Sequence, residues 1–336
     1  MSTEGFNRLL FVVNPTSTNC DTPLVQSQIQ AVKEAYPHDY AYQSSYANPH
    51  KNAEMLYKHV ADGDRIIVIG GDKTLGTTVS VLEEPEFQDR DITIVPAPGG
   101  NKFDFARSVG NTDHSLLDVI RHGQNSPVRL IEAEITDPAG TVNIQKAINT
   151  AGLGGSAEIS RLSNLRAYRE AVRTGGMARQ TMSDLQVVYK ALQGLKPFAI
   201  STPDQPDPQS RYEITFTNST RVGGYGKPPT EASDERFYKI ELANKNFWRV
   251  ASLVGKLALG AKPKDPSLYL TPPQEFAFTL QDTEDIQTSV LANFDGDVIM
   301  DKKGQPLYYT KGTQFTFRHS TNSVQVVQMK PYVPKK

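Results

Sequence analysis

The sequence predicts an α/β protein in two parts: an N-terminal domain on a parallel sheet with helices on both faces, and a C-terminal antiparallel β-rich domain. Three observations lead there. Over the first 125 residues short apolar runs alternate with helix-period segments, the rhythm of a parallel sheet. Beyond about Ser126 extended runs dominate, separated by Gly, Pro, Asn and Asp. The chain, at 336 residues, is also long for a single core. The expected domains are 1–125 and 126–336, with a C-terminal tail free to return to the first.

Leu9–Val13 reads as a buried strand stopped by Asn14-Pro15. Leu24, Val25, Ile29, Val32 and Tyr36 recur at helical spacing until Pro37. Tyr40–Ser44 reads as a strand and Pro49–Val60 as its helix. Ile66–Ile69 is the clearest strand, followed by a helix over Leu75–Leu82; Ile92–Val95 and Phe103–Val109 repeat the pair. The later extended runs are Val128–Ile135, Val142–Asn149, Tyr212–Thr217, Phe237–Leu242, Glu275–Leu280, Ser289–Ala292 and Val324–Met329. Helical material interrupts them between Ala157 and Leu195, where Met182, Leu185, Val188, Tyr189, Leu192 and Leu195 form an apolar stripe. Thr202–Pro208 reads as a stiff surface loop or hinge.

Composition narrows the function classes. A net charge of -1 supplies no field for nucleic acid. The single cysteine, Cys20, has no disulfide partner in the chain, and the six histidines lack zinc-ligand spacing. No signal peptide is visible and no apolar run reaches the roughly 20 residues that span a bilayer. The expected setting is the cytoplasm, with peripheral attachment at the inner membrane face for a lipid substrate.

In a parallel sheet ligands bind outside the carboxyl ends of the strands, so the loops after Val13, Ile69 and Val95 share one rim. Gly70-Gly71-Asp72-Lys73-Thr74 runs from a strand into a helix, where amide groups receive phosphate oxygens. Asp72 suits a water-bridged Mg²⁺ or a supporting network, and equally a plain helix cap. In the loop after Val95, Gly99, Gly100, Asn101, Asp104 and Arg107 are candidate nucleotide contacts, with Lys102 a further source of charge. A capped structural turn is the competing reading. Asn14 and Ser17 on the first loop suit ribose or phosphate, or a simple helix entry. Asp297, in Asn293-Phe294-Asp295-Gly296-Asp297, is either a hairpin residue or a carboxylate able to take a hydroxyl proton. Arg161, Arg166, Arg169, Arg173 and Arg179 form a solvated face or a surface for anionic lipid headgroups.

Taken together, these loops resemble the diacylglycerol kinase catalytic family, which includes bacterial lipid kinases, sphingosine kinases and ceramide kinases. The likeness runs from Asn14-Pro15 through Asn149-Thr150-Ala151-Gly152-Leu153-Gly154 and Gly223–Pro229 to Asp295-Gly296-Asp297. It implies a three-layer N-terminal domain like those of phosphofructokinase and NAD kinase, binding ATP with Mg²⁺. It also implies a C-terminal β-sandwich-like domain and a lipid hydroxyl that attacks the γ-phosphoryl from a cleft between the two. Under it Asp72 belongs to the nucleotide–metal network, Glu132 to its support, and Asp297 stands where the family has a candidate base. Lys73 replaces the glycine of the usual Gly-Gly-Asp-Gly-Thr loop; a positive φ there would cost it about 1 kcal/mol. Ser17-Thr18 stands for Ser-Gly, Phe103 for an Asn, and Asp234-Glu235 for an Asp-Gly. The leading expectation is a lipid kinase acting on diacylglycerol or a related lipid alcohol, with a homodimer allowed. The alternatives are a catalytically impaired homologue that binds lipid or nucleotide and, more weakly, an NAD kinase.

Overall fold

The computed structural model describes residues 6–17, 19–45, 49–99, 104–165, 168, 170, 176–218, 237–243, 246, 268–271, 273–301 and 303–329. The chain divides into two compact units, one of Met1–Leu130 with Ser320–Lys336, the other of Ile131–His319.

The first unit is an α/β layer structure. Its elements are β1 (Arg8–Val13), α1 (Pro23–Ala35), β2 (Tyr40–Ser44), α2 (Pro49–His59), β3 (Asp64–Gly70), α3 (Asp72–Leu82), α4 (Pro85–Gln88), β4 (Thr93–Pro98), α5 (Asp104–Ser108), α6 (Leu116–His122), β5 (Gln124–Val128) and β19 (Val324–Gln328). The sheet order is β2-β1-β3-β4-β19-β5. Neighbouring strands are parallel except β5, which runs antiparallel to β19. All seven residues of β3 are buried, which requires cover on both faces and explains the apolar run Ile66–Ile69 that follows its paired Asp64 and Arg65. On one face Leu9, Phe11, Ile67 and Val95 pack against Val25, Ile29 and Val32 of α1 and Val119 and Ile120 of α6. On the other, α3 packs on β3 and against α2. Thr22 starts α1 by accepting from the Val25 amide, with Pro23 at the first helical position.

The run read at Val324–Met329 forms β19 in this sheet. Its approach is pinned by buried Glu83, whose carboxylate accepts from the Ser320 hydroxyl at 2.5 Å and whose carbonyl accepts from Asn322 at 3.1 Å.

The second unit is a two-sheet antiparallel structure with a helical layer. It contains β6 (Ile131–Thr136), β7 (Val142–Ala147), β8 (Thr150–Gly154), α7 (Gly155–Ser163), α8 (Gly176–Gly194), β9 (Phe198–Thr202), β10 (Gln205–Arg211), β11 (Glu213–Thr217), β12 (Tyr238–Leu242), β13 (Leu268–Thr271), β14 (Glu275–Gln281), β15 (Ser289–Phe294), β16 (Asp297–Val298), β17 (Tyr308–Thr310) and β18 (Gln314–His319). One sheet has the order β10-β9-β14-β18-β6-β7; the other runs β13-β12-β11-β8-β15-β16, with β17 pairing β15. Inward residues of both sheets form one core, in which Phe216 stacks on Phe317 at 4.0 Å between ring centroids and Phe278 on Phe315 at 5.2 Å. Each such buried phenylalanine is worth about 1.5–3 kcal/mol. Helix α7 lies against β8, β11, β15 and β16 and contacts α8.

Several sequence expectations change here. Val128–Ile135 is broken after Val128, and Val142–Asn149 after Ala147, because each spans the end of one strand and the start of a connection to the next. Thr202–Pro208 is a hairpin rather than a loop: β10 pairs with β9 from Gln205↔Thr202, with an irregularity before Gln209. Its Pro206 and Pro208 are tolerated because β10 is a sheet edge, where a missing N–H costs no ladder bond. The apolar stripe on α8 also divides. Met182, Leu185 and Tyr189 are exposed, while Asp184, Val187, Ala191 and Leu192 face inward. Small Ala191 permits close approach on that side, and Asp184 is accommodated there by the Tyr168 hydroxyl.

Candidate active site

The rim begins with chain direction. β1, β3 and β4 are parallel, so the loops leaving Val13, Gly70 and Pro98 emerge at the same sheet edge. At the middle loop Gly71 is extended (φ -87°, ψ 176°) and α3 starts at once with Asp72. Lys73 is therefore a helical residue in the first turn of α3, with its side chain exposed. Among the described residues the one non-glycine at positive φ is Asp295. The cost expected for Lys73 at positive φ does not arise.

Gly70 and Gly99 are not at positive φ either, so a different constraint explains them. A Cβ on Gly70 would sit 2.7 Å from the Cβ and Oγ1 of Thr74. A Cβ on Gly99 would sit 2.6 Å from the Gly70 nitrogen and 2.9 Å from Ile69 Cγ2. Gly70 makes room for Thr74 of its own loop, and Gly99 lets its loop lie directly on the Ile69–Gly70 backbone.

Hydrogen bonds then join the three loops. The Asn14 amide nitrogen Nδ2 donates to Thr74 Oγ1 at 2.9 Å, and the Asn14 backbone N–H donates to the Ile69 carbonyl at 2.9 Å. Asn14 Oδ1 accepts from the backbone N–H and hydroxyl of Thr16, which closes the first loop on itself. The Ser17 N–H donates to the Asn14 carbonyl at 3.1 Å, and the Asn19 N–H reaches the Gly99 carbonyl at 3.1 Å. Asp72 completes the set: its carboxylate accepts from the backbone N–H groups of Asp104 and Phe105, each at 3.2 Å. Asp72 therefore caps α5 across 32 residues of sequence, not its own helix.

Asn14, Gly70, Asp72, Thr74, Gly99 and Asp104 are thus brought together; Asp104 is buried and Arg107 lies in the last turn of α5. Gly100, Asn101, Lys102 and Phe103 lie outside the described residues, as do Gly223–Pro229, Asp234-Glu235, Arg166, Arg169 and Arg173 and the Arg179 side chain. Arg161 pairs with Glu158 at 2.7 Å.

Residues 8–133 match the model of the diacylglycerol kinase catalytic domain, a stretch that contains every loop of this rim. The likeness to the diacylglycerol kinase catalytic domain is confined to this segment. The fold agrees over nearly the whole chain. A proposed diacylglycerol kinase from Bacillus anthracis str. Sterne superposes with a TM-score of 0.67 at 16% identity, covering 99% of this chain and 100% of that one. A second diacylglycerol kinase structure from that organism gives 0.59 at 15% identity, covering 98% of each chain. Yeast NADH kinase complexed with NADH gives 0.51 at 10% identity, covering 99% of this chain and 86% of that one. No curated protein matches by sequence.

Within this segment, the residues suit a nucleotide phosphate and a metal in different degrees. The start of α3, with Lys73 at the surface, has the positive end of a helix and a cation for phosphate. Among the described residues no three His, Cys, Asp or Glu side chains gather as a metal cage. Mg²⁺ would fit here through Asp72, water and phosphate oxygens, which is how that ion is usually held. Asp72 Oδ2 accepts the Asp104 amide and Oδ1 the Phe105 amide, and a carboxylate oxygen can accept more than one hydrogen bond.

The other two predicted residues belong to the second unit. Glu132, on β6, accepts from Arg318 at 3.0 Å and lies 3.9 Å from Lys146, so its charge is used in a cross-strand network. Asp297 opens β16, half-buried, and accepts from the side chain of Asn164 at 3.3 Å. Asp295, its neighbour, accepts from the backbone N–H groups of Ile148, Asn149 and Thr150 at 2.8–3.1 Å.

Sequence reasoning missed Asn19, Asn164 and Glu213. Glu213 receives the Ser156 N–H at 2.6 Å and the Thr215 hydroxyl, holding the start of α7. Part of the residue reaches solvent, yet burial of its carboxyl pushes the pKa up to about 7 against the opposing hydrogen bonds. A Glu opposite Gly154-Gly155 on a neighbouring strand leaves no local pattern, so only the β8–β11 pairing could have found it.

Proposed function

We propose that the protein is a lipid kinase that transfers the γ-phosphoryl group of ATP, with Mg²⁺, to the hydroxyl of diacylglycerol or a related lipid alcohol. The observation that carries this reading is the Asp72 carboxylate at the head of α3, bonded into the loop after β4, inside the segment that matches the diacylglycerol kinase catalytic domain. Such transfer needs placement and charge stabilisation more than covalent chemistry. Bound Mg²⁺ would neutralise charge on the phosphates. The start of α3 and Lys73 would hold the phosphate chain, while Asn14 and Thr74 keep the first and second loops in register. In the balanced step the lipid oxygen bonds to phosphorus and the bond to the ADP oxygen breaks. The hydroxyl proton passes to a carboxylate, for which Asp297 is the candidate.

The test is product formation from labelled ATP, Mg²⁺ and mixed micelles carrying diacylglycerol, ceramide, sphingosine or monoacylglycerol, with NAD as a separate acceptor. A labelled lipid that depends on Asp72 supports the reading. Label in NADP alone would move the assignment to NAD kinase. A second reading is a homologue that binds nucleotide or lipid without turnover, favoured by the use of Asp72 as a cap and of Glu132 in an ion pair. Calorimetric nucleotide binding with no product from any acceptor would select it.

A further inference from the structure

The hairpin that presents Asp297 is built with more constraint than a two-residue turn requires. Its turn residues Asp295 and Gly296 both have positive φ, 50° and 83°, the combination of a type I′ turn, in which Asn or Asp then Gly is preferred. Asp295 then accepts three consecutive amides from the chain entering β8 and donates its own N–H to the Thr150 carbonyl at 2.7 Å. A turn bonded in this way has little freedom to rotate about the strand axis.

Helix α7 holds the same hairpin from the other side, at three heights. Near its start Ser156 donates to Asn293 Oδ1 at 3.1 Å, and Asn293 donates in turn to Ser160 Oγ at 3.2 Å. Ala157 packs on Leu291 and Val298, one from each strand of the hairpin. At its end the capping residue Asn164 donates from Nδ2 to both the Gly296 carbonyl and Asp297 Oδ1, each at 3.3 Å. Both partners are oxygens, so it is the amide nitrogen that faces the hairpin tip.

We propose that Asn164 is the positioning residue for Asp297: it fixes the carboxylate's rotamer and favours its ionised form, while Asp295 locks the turn beneath it. The mechanistic half of this statement rests on the reading of Asp297 as proton acceptor; the geometric half does not. An amide donor favours the charged form of a carboxylate, and a fixed rotamer holds the carboxylate in one orientation towards an incoming proton. A purely structural Asn164 would close the end of α7 and leave the titration of Asp297 unchanged by its removal.

The experiment uses the full chain labelled with carboxyl-¹³C aspartate, the Asp297 signal being identified by its loss in Asp297→Asn. In Asn164→Ala, Asp297 is expected to titrate at higher pH than in the parent protein. Asn164→Asp, which keeps the shape but puts a like charge beside it, should move it further and serves if the alanine variant does not fold. In the lipid kinase assay, kcat falls about tenfold, the weight of one hydrogen bond to a charged group. The acid limb of the pH profile moves upward with the Asp297 titration, and KM for ATP stays the same. Identical Asp297 titration in the parent and both folded variants overturns the proposal. A shifted titration with an unmoved pH–rate profile, or with no lipid product from the parent protein, keeps the positioning role and removes Asp297 as the base.

Discussion

Replacing Asp72 by alanine separates the two roles its position allows. The substitution deletes the acceptor for the amides that open α5, while leaving α3, which starts at this residue but is not capped by its side chain. Loss of an N-terminal cap costs about 0.5–2 kcal/mol. Two long bonds to a charged acceptor at a five-residue helix place the expected loss at about 1–2 kcal/mol. For a unit of this size that is a fall in Tm of about 2–8 °C, read by calorimetry. Asp72→Asn keeps one acceptor oxygen and should lose about half as much. If Asp72 also holds the phosphate–metal network, both variants lose at least about 100-fold in kcat well below their Tm, out of proportion to the stability change. An unchanged Tm in Asp72→Ala refutes the cap. An activity loss under about tenfold in a folded variant refutes the network.

Three further outcomes follow from named contacts. Lys73→Gly should lower Tm slightly, by up to about 1 kcal/mol of helix propensity, because Lys73 is helical; a rise in stability would return it to a strained position. Gly99→Ala should separate the loops, since its Cβ would meet the Gly70 nitrogen at 2.6 Å; nucleotide affinity measured by calorimetry falls, and unchanged affinity with unchanged Tm contradicts the packing reason. Glu213→Gln tests the carboxyl whose pKa is raised from 4.5 to about 7 by burial. A raised carboxyl pKa means that the folded state binds the extra proton, so stability is greatest below about pH 4.5 and declines as pH rises to about 7. The full shift corresponds to about 3 kcal/mol, and the residue's partial exposure reduces the expected effect to about 1–2 kcal/mol. Chemical denaturation from pH 5 to 8 should show a smaller decline in Glu213→Gln than in the parent; parallel curves would exclude Glu213 as the source.

Much of the first unit could be read without coordinates because its signals are local. β3 is buried on both faces, so Ile66–Ile69 within it is an uninterrupted apolar run, and α1 has Thr22 and Pro23 at its start. The α8 stripe misled because both of its candidate faces carry apolar residues; what selects the buried one is Ala191 and the partner found for Asp184. β10 was read as a loop because two prolines are usually incompatible with a strand, and only its place at a sheet edge removes the conflict.

The rim shows the same division. Strand direction alone brought Asn14, Gly70–Thr74 and Gly99 to one edge, since parallel strands leave the sheet on the same side. Residue types did not reveal that Asp72 turns its carboxylate to α5, that Gly70 is small for Thr74 and Gly99 for the Gly70 backbone, or that Lys73 is helical. Nor did they reveal that Asn164, 133 residues away in sequence, reaches Asp297. The sequence by itself determined the fold class and the edge on which the loops gather, because periodicity and chain direction are properties of neighbouring residues. Tertiary structure decided what each polar side chain in those loops is bonded to, because hydrogen-bond partners are chosen by distance in space after the strands have paired.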